Sequence, residues 1–157
     1  MRTMNDNPTP AASFPSRAGV ALAAAGCCLV IAIFEALLAA GAPLGRAAFG
    51  GKYDSLPTTY RVASLAALGF WSFASLVVLS RGGLIAPLFK QAFTQKAAWA
   101  LVAICTFGAI LNLASSSPWE RLGWSPFTAL LAFLVFILAR SPSPSARPLT
   151  FRHPSSS

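Results

Sequence analysis

Four apolar stretches, each close to the length that crosses a membrane, take up most of a 157-residue chain. They cover about 19–42, 62–80, 97–115 and 122–139. A hydrocarbon layer ~30 Å thick needs ~20 helical residues at ~1.5 Å each. A soluble helix would show a polar face every 3.6 residues, yet 65–71 and 129–136 are apolar all round. Transmembrane strands would instead show ~10-residue alternating runs. In hydrocarbon each backbone N–H must find its partner within its own segment, so the spans are expected to be helices. The fold class expected is all-α: a four-helix transmembrane bundle with flexible polar termini.

Composition excludes the main rivals. Only 10% of the residues are charged and 55% are hydrophobic, where soluble domains carry ~25% charge. Mean hydropathy is +0.63. Three cysteines and one histidine, His153, are too few for a disulfide scaffold. Residues 1–17 read as a disordered arm, 18–140 as the membrane domain and 141–157 as a disordered Ser/Pro-rich tail. The first apolar run is longer than the ~7–15 residues of a signal peptide's core and carries Glu35, so it is expected to be retained.

Basic residues near span ends set orientation. Arg2, Arg17, Arg81, Lys90, Lys96, Arg140, Arg147 and Arg152 fall on one side, and Arg46, Lys52, Arg61 and Arg121 on the other. This excess puts both termini in the cytoplasm. The formal charge of +8 is read as orientation and attraction to anionic headgroups. No basic stripe interleaved with aromatics points to nucleic acid.

Local patterns refine the picture. Ser117-Pro118-Trp119-Glu120 has the form of a capping box, with Ser117 at N-cap and Glu120 reaching back. Spans three and four then form an antiparallel hairpin. Trp99, Trp119 and Trp124 fall at span ends, as interfacial aromatics do, whereas Trp71 is mid-span and expected to pack. Leu88, Phe89, Ala92 and Phe93 alternate with Lys90, Gln91, Gln95 and Lys96, a spacing shared by a short interfacial helix and a plain connecting loop. Ala21 with Ala25, Ala63 with Ala67, and Gly108 are small residues that permit close helix approach. The first loop, 41–57, is dense in Gly and Pro. It is expected to fold back into a small outer cap, with Arg46 and Lys52 touching headgroups or Glu35.

Glu35 most needs a reason, because a carboxylate deep in a bilayer costs a few kcal/mol. Three explanations are open. It carries a proton or a cation in transport, pairs with Arg46 or Arg61, or snorkels to the headgroups. Asn112, the other strongly polar residue within a span, is expected to hydrogen-bond between helices or to face Glu35. Cys27, Cys28 and Cys105 are read as small core residues.

Gly41-Ala42-Pro43-Leu44-Gly45, Gly50-Gly51, Leu56-Pro57, Arg61-Val62-Ala63-Ser64 and 114–121 resemble a group of small bacterial four-span membrane proteins with no assigned activity. The resemblance covers the four-span core and implies a bacterial inner-membrane protein. The small multidrug-resistance transporters also have four spans and a glutamate in the first, an architectural likeness only. The polar arm here is longer, the first loop far longer, and the aromatic-glycine motif of their third span is missing.

With no Ser/His/Asp set and no metal-spaced His/Cys cluster, neither enzyme activity nor a metal or cofactor is expected. The first expectation is a non-catalytic accessory or interaction component of the bacterial inner membrane. Its partners would be the lipid bilayer and a membrane protein or a second copy of itself. The alternative is a proton- or cation-coupled small-molecule transporter using Glu35. A thiol oxidoreductase using the three cysteines is a third.

Overall fold

The computed structural model describes residues 16–141; apart from residues 16, 17 and 141, the expected arm and tail lie outside them. Helix α1, Arg17–Ala40, starts where the Ser16 side chain accepts the Gly19 N–H at 3.1 Å. It ends where Gly41 turns left-handed at φ 91° and Pro43 follows. Helix α2 is Thr58–Gly82, behind Pro57, and α3 is Gln91–Leu113. The last helix opens at Pro118, passes through one turn of π-helix at Glu120–Trp124, and continues as α4, Ser125–Arg140. All four helices are long and apolar enough to cross a membrane.

The helices form two antiparallel hairpins, α1 with α2 and α3 with α4, joined mainly through α1 against α4. At the end of the bundle carrying residues 16 and 141, Arg17 donates to the Arg81 carbonyl and Arg81 to that of Ser141, at 2.7 Å. Gln95 donates to the Ala139 carbonyl at 2.6 Å. On α1 the buried stripe is Ala21, Ala24, Ala25, Cys28, Ile31 and Ala32, with helical spacing. It meets Ala74, Val77 and Val78 of α2, Leu101 and Cys105 of α3, and Leu131, Val135 and Leu138 of α4. The α1–α2 seam is so tight that a Cβ on Gly82 would sit 2.2 Å from Ala21 Cβ. The opposite faces stay apolar and exposed, as at Leu29, Val62, Phe107 and Phe133, which suits lipid and not water.

Several local expectations are corrected. α3 begins at Gln91, so Lys90–Lys96 is no separate interfacial helix; Phe89 and Phe93 gather with Phe73 at centroid distances of 5.4–6.4 Å. Ala63 is exposed and Ser64 takes the buried position beside it. A Cβ at Gly108 would meet nothing within 4 Å, so no helix approaches closely there. Trp119 is exposed at the start of the last helix, whereas Trp99, also exposed, lies about two turns inside α3 and Trp124 turns into the bundle. Cys28 and Cys105 are buried and all three cysteines are free thiols.

Candidate functional site

The first loop folds back as expected. It makes two short 3-10 turns, Gly45–Ala47 and Phe49–Gly51, with positive φ at Phe49, Gly50 and Gly51. Gly45 is needed by space: a Cβ there would lie 2.6 Å from the Tyr53 carbonyl oxygen. The loop's backbone polar groups are satisfied by the α3–α4 turn. Gly50 N–H donates to Glu120 Oε1 at 3.0 Å, and the Ser116 hydroxyl donates to the Gly50 carbonyl at 3.1 Å. The Ser117 hydroxyl donates to the Arg46 carbonyl at 2.8 Å, and Trp124 Nε1–H to that of Ala47 at 3.0 Å. Ser115 adds a hydroxyl donor to Glu120 Oε2.

The last helix opens at Pro118 behind Ser117 as the capping box implies, but these contacts replace the motif's side-chain bonds. Ser117 Oγ donates to the Arg46 carbonyl of the first loop, and Glu120 divides its two oxygens between that loop's Gly50 N–H and the Ser115 hydroxyl of its own turn. The physical reason is burial: Glu120 is 7% exposed, and a buried carboxylate takes whatever donors lie within reach. The π-helical turn brings Glu120 and Trp124 to the same loop, one to Gly50 and the other to Ala47.

Beneath this cap lies a cavity of about 290 Å³. Its walls include Phe34 and Glu35 of α1, Trp71 of α2, Cys105, Gly108 and Asn112 of α3, Trp124 and Thr128 from the last helix, and Ala47–Phe49 of the loop. Glu35 and Asn112 line the same space, and Glu120 closes it. The Phe34 and Trp124 rings, 4.6 Å apart between centroids, hold one corner.

Neither arginine reaches Glu35. Arg46 Nε pairs with Asp54 Oδ1 at 2.6 Å on the exposed rim. That bond and the guanidinium's charge hold the Asp54 carboxyl below its ordinary value. Arg61 Nε donates to the Ala39 carbonyl at 2.9 Å, and its guanidinium lies against Gly41. It therefore caps the negative end of α1. Lys52 is exposed. Nor does Glu35 snorkel: its Oε2 is buried without a hydrogen-bond partner. Ser64, fully buried on α2, approaches the Glu35 carboxyl without completing hydrogen-bond geometry.

The sequence reading missed Ser64, Arg61 as a helix cap, and Glu120 as the bond between cap and bundle. Only the last left a trace, in the run of serines at 115–117 facing a glycine-rich loop. Comparison with models of protein families, with curated proteins and with solved structures gave no match.

Proposed function

We propose that this protein is a multi-pass component of a bacterial inner membrane, its termini cytoplasmic, which binds a small cationic solute at Glu35 and exchanges it for protons. The eight-to-four distribution of basic residues supports the orientation. The bacterial setting rests on the sequence resemblance. One observation carries the binding reading: a carboxylate in a membrane-depth helix lines a cavity, while the arginines near that end of the bundle are engaged elsewhere. An intramembrane acid without a protein counter-charge is left to a proton or a cation. The reading involves no catalysed bond change.

Proteoliposomes holding a pH-sensitive dye and an imposed pH gradient test it, with Na⁺, K⁺ and methylammonium as probes. A cation-dependent discharge of the gradient is expected, and Glu35→Gln abolishes it while the melting temperature in detergent holds. Equal discharge by the variant removes the proposal.

A second reading, an accessory component of a larger membrane assembly, draws on a shallow groove of about 520 Å³ outside the α1–α2 hairpin, lined by Ala36, Ala39, Ala40, Val62 and Leu65. Small residues there permit close approach of another helix. A defined protein that co-purifies from native membrane, and is lost on Ala39→Leu, supports that reading. Recovery of the chain free of any such protein opposes it.

A further inference from the structure

We infer that the solute taken at Glu35 is a single-chain amphiphile with a monocationic ammonium head, which reaches the cavity from the hydrocarbon side between α2 and α3. The inference rests on the binding reading above and adds a substrate class and a route to it.

The cavity is not equally walled. Toward the loop it is covered by Ala47, Ala48 and Phe49, on a segment pinned by the Gly50–Glu120, Ser116–Gly50, Ser117–Arg46 and Trp124–Ala47 hydrogen bonds. Toward α3 it is thinly walled. Open space adjoins Gly108, and the wall residues Ile104 and Leu111 are 45% and 54% exposed. A second hollow of about 100 Å³ lies between α2 and α3, lined by Phe70, Phe73, Val77, Ala97, Leu101 and Ile104 among others, all apolar. It shares Ile104 with the first. From Ile104 to Ala97 is about 10 Å of helix rise, a trough for an alkyl chain that leads away from Glu35.

At the inner end the chemistry changes. Glu35 Oε2 and Ser64 Oγ are buried and lack hydrogen-bond partners, and Phe34, Trp71 and Trp124 supply aromatic surface. A carboxylate among aromatic rings is a site for an ammonium group, through charge and cation–π attraction together. Glu120 already accepts from Gly50 and Ser115, so one carboxylate is left to match one positive charge. The volume, at the small end of ligand pockets at ~300–1,000 Å³, suits a head and the start of a chain.

The test uses the full chain in phosphatidylcholine nanodiscs, with radiolabelled decylammonium and subtraction of empty discs. Saturable binding is expected, displaced by unlabelled decylammonium and not by decanoate, which has the opposite charge. Glu35→Gln weakens it about tenfold or more, the worth of a charged hydrogen bond. Ala100→Trp, at an exposed position on the wall of the second hollow and outside the Glu35 cavity, blocks decylammonium and leaves methylammonium-driven discharge intact. Gly26→Trp, at an open position on α1, changes neither. Displacement by decanoate, or full decylammonium binding in Ala100→Trp, overturns the inference. Loss of that one effect with Glu35-dependent methylammonium discharge retained sinks the lipid-side amphiphile alone. Indifference of both probes to Glu35→Gln sinks the binding reading itself.

Discussion

Two glutamates border one cavity, and their surroundings give them different work. Glu120 accepts from the cap's Gly50 N–H and from the Ser115 hydroxyl of its own turn, and the first of these is lost if the cap leaves the bundle. Glu120→Ala is therefore expected to cost about 1–3 kcal/mol, the desolvation of unsatisfied partners, read as a lower melting temperature in detergent. An unchanged midpoint would mean the cap is not held there. Glu35 has no such bonds, so Glu35→Gln is expected to leave stability nearly unchanged. Arg46 and Asp54 make the third contrast. Their bond lies on an exposed rim, where ion pairs contribute little. Because the Asp54 carboxyl is held below its ordinary value, the pair's contribution is present at neutral pH and fades as pH falls through that lowered value. Asp54→Asn is expected to flatten any acid-side change in loop exchange protection without moving the neutral-pH midpoint. A clear drop at neutral pH would contradict this.

Among the elements, the two hairpins differ in how closely they are tied. The α1–α2 seam is set by Gly82 against Ala21, and Gly82→Leu is expected to pry the helices apart. Because the Cβ alone would come within 2.2 Å, the cost is of the overpacking kind, about 1–3 kcal/mol. Gly108→Leu, facing open space, is expected to be tolerated; equal losses at both sites would refute this account of the packing. Helix number and type were legible in the sequence, because a long apolar run has few structures open to it. The ends were less so. An apolar run marks the hydrocarbon layer, and α2 and α3 extend past it to Thr58 and Gln91 through residues that are polar yet helical. Ser117–Glu120 misled for a related reason. A capping motif is a local pattern, whereas Gly50 competes for Glu120 from 70 residues away, and that proximity exists only after folding. Asn112 on the same cavity as Glu35 was one of two readings open from the sequence, because spans one and three run the same way and both residues fall toward the same end. Ser64 was not anticipated, since nothing in the order of residues tells which face of α2 turns inward.

At the scale of the molecule, the exposed apolar faces, the covered end and the thin α2–α3 wall describe a chain arranged for lipid, with a largely apolar pocket that holds a carboxylate. The proposal requires the cap and the Gly83–Lys90 connection to stand on opposite sides of a membrane. Lys52 and Lys90 are both exposed, at the two ends of the bundle, while Cys28 and Cys105 are 1% and 2% exposed. Lys52→Cys and Lys90→Cys can thus be read against the unmodified chain with a membrane-impermeant maleimide on intact spheroplasts. Labelling at position 52 alone, with position 90 reacting only after permeabilisation, is the expected result. Labelling of both without permeabilisation would contradict the four-span arrangement, and labelling of position 90 and not 52 would contradict its orientation.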